Sequence, residues 1–133
     1  MMIRHPQRLA AEVAIAATAE VGEGPLWHAA SGRLLWVDIT RGTLHRSDPG
    51  SGADAETATG TLLGAVAPRD DGDGLAAAVA DGFALLSDAG EVTVVDPVSG
   101  GADERMNDAK CDPAGRLWGG STAMTPTAGG GAL

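Results

Sequence analysis

The chain has 133 residues, of which 44% are hydrophobic, enough for one ordinary domain with a modest core. Lys and Arg number 9 against 18 Asp and Glu, which leaves a net charge of −9. Phosphate binding needs clustered Lys and Arg, so this acidic chain argues against nucleic acid as a partner. A surplus of acid more often keeps a protein soluble than marks a cation site, and charge alone assigns no function.

The N-terminal segment superficially resembles a secretory leader, because Arg4 and Arg8 precede a run of alanines. Glu12 interrupts the apolar stretch, and residues 11–18 fit a strand leading into the domain equally well. We expect residues 1–12 to form a loose N-terminal extension rather than a leader.

The rest of the composition favours the cytoplasm. No stretch approaches the ~20 consecutive apolar residues of a membrane span, so we expect no membrane partner. The single cysteine, Cys111, cannot form an internal disulfide, which favours a reducing compartment. We expect Cys111 to be a buried small residue rather than a nucleophile.

Three hairpin patterns follow one another along the chain, each with a polar, Gly-containing turn beside runs of strand-forming residues. Their turns are 30–32, 71–74 and 112–115. The predicted strands are 34–39, 42–47, 75–80, 82–86 and 91–95, the last after a turn at 88–90. Aligning the turn glycines gives Gly32, Gly74 and Gly115, with spacings of 42 and 41 residues.

A period near 40 residues with hairpins and no helical pattern predicts an all-β fold of propeller blades, each a four-stranded antiparallel sheet. A β-sandwich with evenly spaced turns is the alternative. Propellers close with ~4–8 blades, whereas this chain has room for about three. We therefore expect a partial propeller domain over 1–133 that stops mid-fold. Its open blade edges allow self-association, with two halves completing a ring.

Three sequence blocks carry a resemblance to a known family. They read GEGPLWHAASGRLLWVDI, GAVAPRDDGDGLAAAVADGFALL and RMNDAKCDPAGRLWGGS. In order and spacing they resemble the amino-terminal half of the gluconolactonase / senescence marker protein (regucalcin-like) family, from Val13 onward. The resemblance implies about three blades of a six-bladed propeller that holds one divalent cation in its central channel and hydrolyses sugar lactones such as gluconolactone.

The same resemblance implies roles for residues that keep the family's motifs. Glu23 of GEGP matches the carboxylate metal ligand, and Arg105 and Asn107 of RMND match the substrate contacts. The family's other two ligands, an Asn and an Asp that is also the proposed proton-transfer residue, lie further along than this chain extends. No catalytic residue is therefore assigned here. An acidic substrate contact found in some members is missing from STAMTPTAGGG, which implies a different lactone preference.

The chemistry of these residues is consistent with that function. Lactone hydrolysis needs a polarised carbonyl and an activated water, and a cation on oxygen ligands supplies both. Carboxylate and amide oxygens suit Ca²⁺, Mg²⁺ or Mn²⁺, while Zn²⁺ is also compatible. Alternatively, Glu23 is a solvated turn acid, and Asn107 and Asp108 cap the next strand.

The sequence thus predicts the amino-terminal part of a divalent-metal-dependent sugar lactone hydrolase. The alternative is a catalytically inactive fragment or weak calcium-binding module that lacks the downstream ligands. The three histidines lack partners at ligand spacing and are assigned no metal: His5, His28 and His45. The three tryptophans occupy hairpin positions and are predicted to pack between blades: Trp27, Trp36 and Trp118.

Overall fold

The computed structural model describes residues 8–98 and 103–133, and within these ranges it is built of strands in three antiparallel sheets. Blade I contains β1 (Gly22–His28), β2 (Arg33–Asp38), β3 (Thr43–Asp48) and β4 (Ala53–Ala58). Blade II contains β5 (Leu63–Pro68), β6 (Leu75–Val79), β7 (Gly82–Leu86) and β8 (Val92–Pro97). Blade III contains β9 (Glu104–Cys111), β10 (Leu117–Ala123) and β11 (Gly131–Ala132).

The all-β propeller fold is confirmed, and the predicted strands agree with the observed ones to within one or two residues at each end. In each blade, strands adjacent in sequence are hydrogen-bonded neighbours, which is the meander expected of a propeller blade. The aligned turn glycines Gly32, Gly74 and Gly115 have φ of 62°, 72° and 80°, a conformation that glycine adopts without steric cost. In the described part of the chain, no helix is long and apolar enough to cross a membrane.

The blades pack face to face, with β1 against β5 and β5 against β9, so these three are the innermost strands. Alternate residues of β2 and β7 point into the larger core, because successive side chains of a strand face opposite ways. Blades I and II share the fully buried side chains Leu35, Val37, Leu44, Leu63, Val79 and Leu86. Blades II and III share a smaller cluster: Ala65, Ala78, Met106 and Ala109.

The segment before β1 is not the strand that its sequence allowed. Residues 11–18 form no strand, because half of them are alanines, whose side chains offer little apolar area to bury against a sheet. The segment is tied to blade I by Asp38, whose carboxylate accepts hydrogen bonds from the backbone N–H of Glu20 (2.8 Å) and Val21 (3.0 Å). Burial alone would raise the pKa of Asp38, but these donors and one at Arg41 lower it overall. His5 and residues 1–7 of the predicted extension lie outside the described residues.

One further expectation about a side chain was wrong. Cys111 is exposed, because the end of β9 extends past Ala109, the last residue of that strand buried against blade II. Trp27 and Trp118 are 57% and 52% exposed, and their role in blade packing stays a prediction. Strand alternation places Trp27 on the face of blade I turned away from blade II, and Trp118 on the corresponding far face of blade III.

Candidate functional site

A β-bulge interrupts the innermost strand of every blade at a corresponding place. The register shifts lie between Glu23 and Leu26 in β1, between Leu63 and Ala65 in β5, and between Met106 and Ala109 in β9. In each case the extra residue belongs to the innermost strand and not to its partner. Bulges re-aim side chains and are common next to active sites. Glu23 begins the first bulge and Asn107 lies within the third, so two predicted site residues lie at corresponding bulges.

The three innermost strands come close together at this level. A Cβ atom added to Gly64, in the β5 bulge, would lie 2.2 Å from the backbone oxygen of Asn107. One added to Gly24, next to Glu23, would lie 3.9 Å from the backbone oxygen of Gly64. Sequence reasoning missed Gly64, although a glycine inside an apolar strand is a signal for a bulge or a close backbone approach.

The predicted pair in β9 is brought together by a hydrogen bond. The Arg105 Nη1 donates to Asn107 Oδ1 (2.8 Å) and to the Met106 carbonyl (3.0 Å). Arg105 is half-buried, whereas Asn107 is exposed. These contacts fix one edge of the guanidinium and leave its other N–H donors available.

Glu23 has an exposed carboxylate on β1. Its Oε2 accepts a hydrogen bond from the Gly24 N–H at 3.3 Å, and within the described residues it forms no ion pair. The described ranges also place no second and third carboxylate, His or Cys around it as further metal ligands. The alternative of a turn pair that caps the next strand is wrong, because Asn107 and Asp108 both lie inside β9. Asp108 does bond locally, since its Oδ1 accepts from the Ala109 N–H at 2.8 Å.

A second polar cluster lies on blade I and was missed by the sequence analysis. The His45 Nδ1 lies 2.6 Å from Asp54 Oδ2 and 4.0 Å from Glu56 Oε1. The partners are 9 and 11 residues further along, on the neighbouring strand β4, which the turn pattern did not predict. Only the pairing of β3 with β4, which sets His45 opposite Glu56, brings them together.

The comparisons with known proteins cover most of the chain. Residues 21–133 match the SMP-30/gluconolactonase/LRE-like region. The pentonolactonase XacC of Haloferax volcanii is 38% identical over 120 residues, covering 85% of this chain and 38% of that protein. The 6-deoxy-6-sulfogluconolactonase of Pseudomonas putida is 33% identical over 115 residues, covering 85% of this chain and 39% of that protein.

A solved structure agrees with these relatives. The calcium-binding protein regucalcin from Agrobacterium tumefaciens superposes with a TM-score of 0.78 at 30% identity, covering 86% of this chain and 39% of that one. The chain thus spans about two fifths of the length of the relatives it matches. With its three blades, its bulged innermost strands and a family match over residues 21–133, the chain belongs to the SMP-30/gluconolactonase/LRE-like family.

Proposed function

We propose that the chain is the amino-terminal part of a divalent-metal-dependent sugar lactone hydrolase. The observation that carries this proposal is the placement of Glu23 and Asn107 at corresponding bulges of the innermost strands, with Arg105 held on Asn107. Two relatives named as lactonases, one for pentonolactones and one for a sulfogluconolactone, support a sugar lactone as the small-molecule substrate.

The oxygen atoms present fit a hard cation. Glu23 offers an exposed carboxylate that, in the described part of the chain, accepts a hydrogen bond from Gly24 and forms no ion pair. Oxygen ligands suit Ca²⁺, Mg²⁺ or Mn²⁺, and Zn²⁺ is also compatible, so Glu23 would hold one such ion. When bound, the ion would polarise the lactone carbonyl and lower the pKa of a bound water.

Arg105 and Asn107 would bind and orient the sugar. Because Asn107 Oδ1 and the Met106 carbonyl already hold one edge of the guanidinium, less side-chain freedom is lost when substrate arrives. The remaining guanidinium N–H groups would donate to hydroxyl or ring oxygens of the lactone. The Asn107 side-chain NH₂ would add a donor, which suits a polyol.

Substitution of Asn107 tests this assignment. An Asn107→Ala variant should lose at least about tenfold in kcat/KM for aldonolactone hydrolysis, the cost of one charge-assisted hydrogen bond. Asp108→Asn is the matched control, since Asp108 is adjacent and exposed but accepts its hydrogen bond from the Ala109 backbone N–H. Titration of the acid released, with and without Ca²⁺, Mn²⁺, Mg²⁺ or Zn²⁺, measures the rate. Equal losses in both variants, or hydrolysis unaffected by removal of metal, would contradict the proposal.

A second candidate function is a catalytically silent fragment or weak calcium-binding module. It is favoured by the position of Glu23, which in the described ranges belongs to no cluster of three metal-ligating side chains. One carboxylate holds a cation weakly, so calorimetry of the isolated chain with Ca²⁺ and Mn²⁺ separates the two. If the isolated chain binds a cation tightly and stoichiometrically, and if Glu23→Gln abolishes that binding, the silent-fragment hypothesis is excluded.

The proposal includes the cytoplasm as the place of action and excludes nucleic acid and membranes as partners. The net charge of −9 opposes binding to phosphate backbones. Cys111 is the chain's single cysteine and is exposed, so its thiol is best kept reduced in the cytoplasm.

A further inference from the structure

The polar cluster on blade I carries a chemistry that lactone hydrolysis does not use. His45 is 4% exposed, and its Nδ1 lies between Asp54 Oδ2 at 2.6 Å and Glu56 Oε1 at 4.0 Å. One ligand atom from each of the three residues falls within 4.8 Å of the others. The cluster lies on strands β3 and β4, away from Glu23 and from the innermost strands.

Neighbouring side chains hold these groups in fixed orientations. Trp36 stacks on the His45 ring, with ring centroids 3.6 Å apart and planes 13° apart. The Trp36 Nε1–H donates to Ser47 Oγ (2.8 Å), and the Ser47 hydroxyl donates to Asp54 Oδ1 (2.6 Å). Asp54 Oδ1 is therefore occupied by the hydroxyl and Oδ2 is turned toward the imidazole. Such outer partners orient ligands and sharpen their affinity for a metal.

The two carboxylates of the cluster also differ in their exposure to solvent. Within the described ranges, no Lys or Arg forms an ion pair with Asp54 or Glu56. The Asp54 side chain is only 15% exposed, so water solvates its charge poorly, whereas the Glu56 side chain is 68% exposed. Two carboxylates and an imidazole nitrogen gathered at one point can together bind a cation, and the exposed Glu56 leaves that cation a path from solvent.

The geometry points to a second metal site, formed by His45, Asp54 and Glu56, for a divalent transition metal such as Zn²⁺. Tetrahedral ligands about 2.0–2.1 Å from Zn²⁺ lie about 3.3 Å from one another. The observed separations from Nδ1, 2.6 and 4.0 Å, bracket this value, and the oxygens of the two acids lie within 4.8 Å of each other. Small shifts of the two acids would therefore bring the three residues to three of the four ligand positions. A bound metal would take the place of the proton between Nδ1 and Asp54, that proton would pass to solvent, and Nε2 would carry the remaining ring proton.

The ligand set separates this site from the proposed cation site at Glu23. An imidazole nitrogen raises affinity for Zn²⁺, Co²⁺ or Ni²⁺ over Ca²⁺, whereas an all-oxygen set favours hard cations. The two sites can thus be distinguished by the metal that each binds. If one proposed site proves not to bind a metal, the proposal for the other site still stands. The role supported here is structural: a metal would clamp β3 to β4.

The test uses the full chain carrying Glu23→Gln and Cys111→Ser, which removes the proposed hard-cation ligand and the exposed thiol. Competition with a chromophoric chelator measures Zn²⁺ affinity, and Co²⁺ reports coordination through its visible absorption. We expect one Zn²⁺ per chain in the presence of excess Ca²⁺, and an intense Co²⁺ spectrum typical of low coordination number. Adding Glu56→Gln should weaken Zn²⁺ binding by at least about 10-fold. Loss of a residue that only supports a ligand already weakens metal affinity by about that factor, and loss of a ligand should cost no less.

Glu56→Gln is the informative variant because its side chain is exposed, so folding should survive where His45→Gln could unfold blade I. Glu91→Gln is the matched control, an exposed glutamate beside β8 in blade II. Equal Zn²⁺ affinity with and without Glu56→Gln, an equal loss with Glu91→Gln, or displacement of Zn²⁺ by Ca²⁺ would overturn the second site.

Discussion

At the scale of single residues, Gly64 has less room for a side chain than Gly22 or Gly24, the glycines of the neighbouring innermost strand β1. Its φ lies outside the left-handed region, so its backbone conformation is open to any residue. What excludes a side chain is the backbone oxygen of Asn107, 2.2 Å from where a Cβ would lie. This glycine therefore allows β5 and β9 to approach each other where the proposed substrate contacts emerge.

Gly64→Ala should destabilise the protein by about 1–3 kcal/mol, because an added methyl group forces the two backbones apart. Chemical denaturation followed by tryptophan fluorescence measures the loss. Gly22→Ala is the control in another innermost strand, where the new Cβ would meet its nearest atoms at 3.4 Å, an ordinary contact. Equal free energies of unfolding for both variants would show that the contact between β5 and β9 at Gly64 can accommodate a methyl group.

At the scale of elements, the hairpin of blade III is organised by one carboxylate. Asp112 Oδ1 accepts from the backbone N–H groups of Ala114 (2.9 Å) and Arg116 (3.0 Å). Its Oδ2 accepts from the Trp118 indole (3.0 Å) and the Arg116 guanidinium (2.7 Å). The Trp118 donor, followed by the Arg116 and Ala114 donors, lowers the pKa of Asp112 from 3.8 to about 2. The predicted turn at 112–115 is confirmed, closed by the Gly115 N–H on the Asp112 carbonyl at 3.0 Å.

This carboxylate predicts a pH-dependent contribution to stability. Because the folded pKa lies below the ordinary value, ionised Asp112 favours folding above about pH 4, and this contribution is lost as pH falls toward about 2. Asp112→Asn should therefore destabilise the chain near neutral pH and match the parent near pH 2. Denaturant titrations from pH 7 to about 2 measure the difference. A difference that stays constant across this range would refute the role of the charge.

The hairpins were predictable from the sequence because turn chemistry is local. Gly32, Gly74 and Gly115 each sit in a turn whose residues are contiguous, and the strand bounds followed from them. The bulges were not predictable, since an extra residue is defined only by the register of a partner strand. The cluster of His45, Asp54 and Glu56 was not predictable for the same reason, because only the pairing of β3 with β4 brings its members together. The roles of Glu23 and Arg105 came from family resemblance and stay predictions.

At the scale of the whole molecule, the end blades of this chain present open faces. Trp27 is exposed on blade I, and Trp118 is exposed on blade III. In blade I the same face also carries Trp36 and His45, since directly opposed residues of paired strands share a face. Tryptophan is enriched among the residues that anchor protein–protein interfaces, so an exposed indole on each end face provides a candidate anchor.

We therefore expect the 133-residue chain to self-associate through these faces. Combining Trp27→Ser with Trp118→Ser should raise the dissociation constant at least about tenfold, as expected when buried tryptophan anchors are removed. Sedimentation velocity over a range of concentrations measures the association. Val95→Ser is the control, an exposed apolar residue (55%) on β8 of the middle blade. A single-chain mass at every concentration, or equal weakening by Val95→Ser, would rule out this interface.

The bulge in β9 has a consequence for how this protein family can change. Met106 and Ala109 are both buried although they are three positions apart, and Asn107 and Asp108 between them are both exposed. An ordinary pleat would send two such neighbours to opposite sides. Loss of one codon at this point would leave both core residues where they are and restore simple alternation. A folded scaffold that lacks the paired exposed side chains of Asn107 and Asp108 is thus one deletion away, so family membership alone does not show that the proposed substrate contacts are present.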